Sequence, residues 1–301
     1  EEVQHDIEHI YMLLTMLYDT RSIQLVKENI ESGTAEGVTY AIELLDVFLS
    51  EQLKQRVIPI LDDIANAERI YQLHEFYPRV KLDDKLVLKF LINRDFAQSN
   101  RWTKACVLHQ IGMLKIADFK LDLIAQLFNP DELIREVAAW ALAQHGRELY
   151  EENARRLGDH AKKELDAVVV HQRKTSKFEI ARFYQELPSF ANVQGITLSY
   201  LSDISEEVRM KIGESIVLDE KQNNHFYVVT SGTVGYYHRG VRISQFGRPQ
   251  FVGEMLGASG TVSANVITAE GDAVLLRFNK DQFYELLSDN IQLADKVLQF
   301  I

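Results

Sequence analysis

Cysteine, proline and long apolar runs are scarce in this chain. Among its 301 residues there are one Cys and five Pro. A single cysteine excludes an internal disulfide and fits a reducing compartment, so we expect a cytoplasmic location. No run of about 18 apolar residues and no signal peptide is visible, so we expect this stretch of chain not to insert into a membrane. Because Ala105, Val107 and Leu108 surround Cys106, we expect a buried, inert thiol.

Basic residues are outnumbered by acidic ones. Lys and Arg total 33 against 44 Asp and Glu, which gives a formal net charge of −11. Nucleic-acid binding requires clustered positive charge against the phosphates, and anionic lipid attracts polybasic segments. The composition therefore predicts no nucleic-acid partner and no passive electrostatic attachment to a membrane.

Sequence signatures of catalysis are also missing. The chain has no Walker phosphate-binding loop, no nucleophile elbow and no protein-kinase signature. His5 and His9 are four positions apart and could share a helix face. No third ligand accompanies them, which favours surface histidines over a zinc site. We therefore predict a protein that is not an enzyme and holds no metal.

Residues 1–186 are predicted to be helical. They contain five of the 15 Gly and three of the five Pro, and apolar residues recur at helical spacing from residues 5–18 onward. Residues 35–49 are apolar around most of the helix, which is typical of burial on two sides. Segments 102–113 and 121–128 predict two further helices. Asn129 and Pro130 then predict the capped start of another.

The stretch from Asn129 to Leu142 carries a breaker, acidic residues and then a run of alanines. It resembles a HEAT repeat, and residues 35–61 resemble a second one. The resemblance implies a solenoid in which each repeat buries its face on the next. We assign HEAT-like repeats to residues 1–165 and a linker helix to residues 166–186. An irregular all-α bundle is the alternative.

From residue 187 the composition changes to short β-branched and aromatic runs separated by turns. Ten of the 15 Gly lie here. The pattern predicts a short helix at 206–212, a helix after Asn279, and strands at 214–219, 226–230, 233–238, 241–246, 262–269 and 273–278. Many short strands indicate a jelly roll, here with flanking helices. The predicted fold class is α+β multidomain, an all-α solenoid followed by a β jelly roll at 187–301.

Two motifs carry a resemblance to cyclic-nucleotide-binding domains. One is the strand-turn-strand from Phe226 to Val234, and the other is Phe251-Val252-Gly253-Glu254-Met255, which is similar to the opening of the family's phosphate-binding cassette. The resemblance implies that Glu254 accepts a hydrogen bond from a ribose hydroxyl and that loop N–H groups bind the phosphate. The candidate ligand is a cyclic nucleotide or another nucleotide. Candidate ligand-binding residues are Gly253, Glu254, Met255, Val262, Ser263 and Ala264.

Val262 stands where the resemblance implies an Arg that pairs with the phosphate. An aliphatic side chain supplies neither charge nor donors, and losing such a contact commonly costs about 2–5 kcal/mol. We therefore expect no tight cAMP or cGMP binding, with Arg248 as the candidate auxiliary phosphate contact. Three interpretations stay open: ordinary cyclic-nucleotide binding, a different ligand, or a roll kept for structure or interaction. Glu254 could equally cap the N–H groups of its own loop.

The combination of a HEAT-like array and such a roll resembles the soluble C-terminal region of bacterial ATP/ADP-translocase-like membrane proteins of the major-facilitator type. This implies a non-catalytic regulatory or sensor module at the cytoplasmic face of the inner membrane. Its partner would be a protein on the helical surface or a covalently attached transmembrane domain. Since the chain starts at Glu1 without Met, we expect a fragment of a longer protein. The alternatives are a freestanding HEAT scaffold that binds proteins and an active cyclic-nucleotide sensor.

Overall fold

A computed structural model provides the architecture for residues 2–78, 83–94, 99–190, 193–218, 224–252, 265–290, 293–294 and 296. Helices dominate the described chain up to residue 203, and strands dominate after it. The helices are α1 Glu2–Leu17, α2 Thr20–Glu31, α3 Ala35–Phe48, α4 Glu51–Leu61, α5 Asn66–Leu73, α6 Asp84–Asn93, α7 Arg101–Leu114, α8 Lys120–Gln126, α9 Glu132–His145, α10 Arg147–Ala154, α11 Asp159–Val169, α12 Lys177–Glu186, α13 Gly195–Asp203 and α14 Lys280–Asp289. Short 3₁₀ turns lie at Ala117–Phe119 and Pro188–Phe190.

The contacts divide the chain into two compact units, Glu1–Val87 and Leu88–Ile301. The first unit has its own apolar core on α1 to α4, which includes Tyr11, Ile23, Ala41 and Leu45. Two of its helices, α2 and α3, begin at side-chain caps. At α2, Asp19 accepts a hydrogen bond from the Ser22 N–H, which satisfies a donor that the first turn leaves unpaired. The HEAT assignment and the boundaries at 165 and 186 remain predictions.

In the second unit, eight described strands form two antiparallel four-stranded sheets. The strands are β1 Ser205–Met210, β2 Ser215–Val217, β3 His225–Ser231, β4 Thr233–His238, β5 Val241–Gly247, β6 Gln250–Val252, β7 Asn265–Ala269 and β8 Ala273–Asn279. The helix-packed sheet has the order β1-β8-β3-β6, and the outer sheet has the order β2-β7-β4-β5. This is a C-terminal antiparallel β domain of the jelly-roll kind.

Side chains alternate between the two faces of a strand, so the residues of the helix-packed sheet contribute to two different cores. Phe226, Val228, Leu276 and Phe278 join a large core shared with α7, α9 and α12. The residues between them, such as Tyr227 and Leu275, face the outer sheet in a smaller core that lies inside the roll. The roll therefore packs on the preceding helices through the outer side of one of its sheets.

Two sequence predictions were wrong here, one about the type of an element and one about the burial of a side chain. Residues 206–212 were predicted to be helical, but Ser205–Met210 is strand β1, paired with β8. Val208 and Met210 alternate with charged residues at the period of a strand, and the pairing with β8 gives that face a core to join. Cys106 was predicted to be buried but is exposed, because it lies with Gln110 and Met113 on the solvent side of α7.

None of the described helices combines the length and the hydrophobicity that crossing a bilayer requires.

Candidate functional site

The predicted cassette lies between two strands that belong to different sheets. β6 ends at Val252, which pairs with Tyr227 in the helix-packed sheet. β7 begins at Asn265, which pairs with His238 in the outer sheet. The candidate residues Gly253, Glu254, Met255, Val262, Ser263 and Ala264 all lie outside the described residues, so their roles remain predictions.

The flanks of the cassette approach the same end of the roll, and a tight hairpin determines which end this is. β3 and β4 are joined through Gly232, whose φ is +76° and where a Cβ would lie 2.4 Å from the Asp272 carbonyl oxygen. A side chain there would be strained and would clash, so glycine is required. The start of β3 and the end of β4 consequently lie together at the end of the roll opposite this turn.

This end of the roll is polar. His238 Nδ1 and Asn265 Oδ1 are 2.8 Å apart, next to the position where the chain leaves the cassette. On the helix-packed sheet, Glu206 of β1 and Arg277 of β8 form a cross-strand ion pair. The hydrogen bond from Arg277 lowers the pKa of Glu206. Partial burial and the nearby charge of Arg277 both lower the pKa of His225.

A pocket of about 360 Å³ opens beside these residues. It is lined by Asp203, Ile204, Glu206, His225, Arg277, Asn279 and Gln282. Sequence reasoning concentrated on the cassette and missed this group. Part of the group could have been found from the sequence. Side chains alternate along the predicted strand at 273–278, so Arg277 and the following Asn279 are expected on the same face. Asn279 also caps α14 as predicted, accepting hydrogen bonds from the Asp281 and Gln282 N–H groups.

Arg248, the candidate auxiliary phosphate contact, lies in the turn between β5 and β6. Its Nη2 atom is 3.5 Å from Glu186 Oε2 at the end of α12, and its guanidinium lies 5.2 Å from the centre of the Phe183 ring. Arg248 and Glu186 are exposed and Phe183 is half-buried, so both contacts are weak individually. In this structure Arg248 connects the strand that enters the cassette to α12. Its predicted phosphate contact remains a prediction.

Phe251 of β6 makes a second, partly buried connection between the same strand and the helices. Its ring centroid lies 6.5 Å from that of Phe190 and 6.4 Å from that of Phe226. Phe226 stacks on Phe278 at 4.8 Å, and Tyr184 of α12 is 6.2 Å from Phe278. These distances suit offset or edge-to-face aromatic packing. The strand preceding the cassette and helix α12 therefore share one aromatic cluster.

The other end of α12 is held by α9. Ser176 and Glu179 form a capping box at the start of α12. The Lys177 N–H donates to Glu136 Oε2 of α9 at 2.7 Å. The Lys177 ammonium lies 2.9 Å from Glu132 Oε2 and 3.0 Å from Asp203 Oδ1. Helix α12 is thus anchored to α9 at its first turn and to the turn between β5 and β6 at its last.

A buried arginine extends this polar junction to α7. Arg101 pairs with Asp203 at the end of α13 and lies 2.9 Å from Asp131, just before α9. Asp131 also caps α9, accepting a hydrogen bond from the Ile134 N–H at 3.3 Å. Asn129 had been predicted as this cap; instead its Oδ1 accepts a hydrogen bond from the Asp131 N–H. One carboxylate therefore orients both a helix start and a buried guanidinium.

Aromatic rings cover the middle of this junction. The His109 ring of α7 lies between those of Trp140 and Phe178, at 4.6 Å from each centroid. Trp102 stacks on the same Phe178 at 5.1 Å. Burial lowers the pKa of His109, and the charge of Arg182 lowers it further. Phe178 of α12 is therefore packed against aromatic side chains of α7, with Trp140 of α9 one ring further.

A family model matches the part of the chain that forms the roll. Residues 207–290 match the cyclic nucleotide-binding domain family. This match supports a cyclic nucleotide-binding domain at those residues, from within β1 to the end of α14. No curated protein matches the chain.

Several solved structures are similar to part of the chain. The sensor domain of the transcriptional regulator DNR from Pseudomonas aeruginosa is 19% identical with a TM-score of 0.36, and the alignment covers 41% of this chain and 86% of that one. The regulatory domain of Toxoplasma gondii PKA with cAMP is 14% identical with a TM-score of 0.36, over 46% and 56% of the two chains. A cyclic nucleotide-binding domain from Methylobacillus flagellatus is 17% identical with a TM-score of 0.34, over 40% and 71%.

Proposed function

We propose that this chain is a non-catalytic regulatory or sensor module in which the state of the roll changes how α12 packs on α9. The observation that carries the proposal is the double attachment of α12. Its last turn contacts Arg248, two residues ahead of β6, and its first turn contacts Glu132 and Glu136 of α9. The family match at residues 207–290 supports a ligand-responsive roll.

The coupling follows from thermodynamic linkage. A ligand can shift α12 only if it binds more tightly to one arrangement of the helix than to the other. The cassette follows directly after β6, and β6 shares an aromatic cluster with α12 through Phe251. Ligand binding at the cassette would therefore act on a strand that already contacts the helix.

We further propose that the ligand is a nucleotide other than tightly bound cAMP or cGMP. Val262 provides no charge for a cyclic phosphate at the position where the family resemblance implies an Arg. Thermal unfolding with cAMP, cGMP, ATP and ADP tests this, because a ligand present at 100 times its Kd stabilises the fold by about 2.7 kcal/mol. The absence of a shift with every nucleotide would reject a nucleotide sensor and favour a roll kept for structure or interaction.

Two substitutions sharpen the ligand test. Glu254→Ala should abolish any shift, whereas Glu285→Ala, which removes an exposed carboxylate on α14, should leave the shift unchanged. Val262→Arg should restore a guanidinium and strengthen cAMP binding by on the order of thirtyfold, equivalent to about 2 kcal/mol. Val262→Leu is the matched control without charge. Equal cAMP affinity in both Val262 variants would argue that the roll does not present its cassette to a cyclic phosphate.

The larger context of the module is also a proposal. The sequence resemblance of the HEAT-like array plus roll supports a cytoplasmic part of a bacterial nucleotide-transporter-like membrane protein. Fractionation of the full-length gene product distinguishes a part of a membrane protein from a freestanding scaffold. Recovery with the inner membrane after a high-salt wash is expected, and recovery in the soluble fraction would favour the freestanding protein-binding scaffold.

A further inference from the structure

A carboxylate is buried where α12 meets α9. Glu136 lies in the middle of α9, and its residue is only 2% exposed. Fully buried glutamates are rare unless they are paired, because moving a charge out of water is costly. The bond that its Oε2 atom accepts comes from the Lys177 backbone N–H, the first of α12. A carboxylate at a helix N-terminus also interacts favourably with the helix dipole.

The junction between α9 and α12 contains several charged groups. On α9 itself, Glu132 lies one turn earlier and binds Lys177. The segment before α12 supplies Lys174, which lies 3.9 Å from Glu132. α13 supplies Asp203, which also binds the Lys177 ammonium.

On α7, Arg101 is paired with Asp131 and Asp203, and His109 stacks on Phe178 of α12. On α12, Glu179 is held in the capping box with Ser176. The positive charges around Glu136 are thus already paired with other carboxylates.

Burial dominates the behaviour of Glu136. It raises the pKa of the carboxyl from 4.5 to about 7, and the Lys177 N–H and the Lys174 charge offset it only in part. If α12 leaves α9, water reaches the carboxylate, and burial no longer raises its pKa. The pKa then returns toward its ordinary value.

We propose that docking of α12 on α9 is coupled to proton uptake by Glu136. This goes beyond the proposed ligand response and stands without it. The pKa is raised in the docked state, so protonation stabilises docking fully below the ordinary carboxyl pKa. That contribution is lost as the pH rises through about 7. Acidification within the range of cell interiors therefore tightens the contact between α12 and α9, and alkalinisation loosens it.

Hydrogen exchange of the α12 amides tests the proposal. After correction for the intrinsic exchange rate, the protection of residues 180–183 should fall by about tenfold between pH 6 and pH 8. Glu136→Gln keeps the shape of the side chain and removes this titration, so its protection should no longer fall as the pH rises over this range. Glu132→Gln, one turn away on the same helix, removes a charge that contributes to the raised pKa of Glu136. Its protection should therefore still fall as the pH rises, with the transition at a lower pH than in the wild type.

The sign of the effect separates Glu136 from His109. Because the pKa of His109 is lowered in the docked state, its protonation would loosen the contact on acidification, which is the opposite direction. A carbon-13 NMR titration of the wild-type Glu136 carboxyl provides a measurement that needs no variant, with an expected midpoint near 7. A midpoint near the ordinary carboxyl value, or an identical pH dependence in Glu136→Gln, would overturn the proposal. Neither outcome depends on whether the roll binds a nucleotide.

Discussion

The two faces of the helix-packed sheet differ in what they belong to. On one face, Phe226, Leu276 and Phe278 lie in a core that continues through α7, α9 and α12. On the other face, Tyr227 and Leu275 lie in a core made by strands of the roll. The residues on both faces lie within the family match at residues 207–290. Only the second face, however, packs in a core that is made entirely of residues from that match. The comparison shows that the roll is joined to its helices by burial of apolar surface as well as by the chain.

Substitutions of two adjacent leucines on β8 test whether the two faces of the sheet have separate roles. Leu276 faces the helices and Leu275 faces the roll interior, and they are 1% and 0% exposed. Leu276→Ala and Leu275→Ala should each lower the free energy of unfolding by about 3–4 kcal/mol, because each leaves a cavity in a packed core. Hydrogen exchange should distinguish them: Leu276→Ala loosens α12, and Leu275→Ala affects the strands first. Equal loss of α12 protection in both variants would contradict separate roles for the two faces.

A smaller effect is expected at the polar junction. Arg101→Met retains the apolar stem but leaves Asp131 and Asp203 without their guanidinium, and should destabilise by about 2 kcal/mol. Arg277→Met removes a solvent-exposed ion pair with Glu206, which joins two strands of the roll, and should change the free energy of unfolding by less than about 1 kcal/mol. Chemical denaturation of both variants measures the difference. A larger effect at Arg277 than at Arg101 would mean that the polar end of the roll, and not the helical junction, carries the electrostatic stabilisation.

The smallest expected effect is at Arg248. Arg248→Ala removes an exposed ion pair and a cation–π contact with α12, together worth less than about 1 kcal/mol. Its informative readout is coupling: any nucleotide-induced change in α12 hydrogen exchange should weaken, while the change within the strands persists. Arg242→Ala, on β5 and paired with Glu270, is the matched control. Unchanged coupling would leave Phe251 as the connection between β6 and the helices.

Much of the fold could be predicted from the chain because local patterns agree with tertiary packing. The strands predicted at 226–230, 233–238, 241–246 and 273–278 are confirmed as β3, β4, β5 and β8. The helix cap at Asn279 is also confirmed. It was predictable because a short polar side chain directly before an amphipathic helix commonly accepts hydrogen bonds from the N–H groups of the first turn. β1 was missed because Ser205 to Met210 is charge-rich, and only its pairing with β8 makes it a strand.

The site was less predictable because its contacts join residues that are far apart in sequence. The bond from the Lys177 N–H to Glu136 spans 41 positions, and the pair between Arg101 and Asp203 spans 102. In the sequence, Glu136 is one of 44 acidic residues and nothing local marks it as buried. Arg248 could be identified as a nearby cation, but its contact with Glu186 of α12 depends on how the roll packs.

The aromatic stack around Phe178 has a practical consequence. The chain contains two tryptophans, and both belong to this stack: Trp102 contacts Phe178 directly, and Trp140 is separated from it by the His109 ring. Departure of α12 would remove the Phe178 ring from the Trp102 indole and from the imidazole that stacks on Trp140. Intrinsic tryptophan emission is therefore a label-free optical reporter of this single helix, and it can be followed in a stopped-flow instrument without any engineered fluorophore.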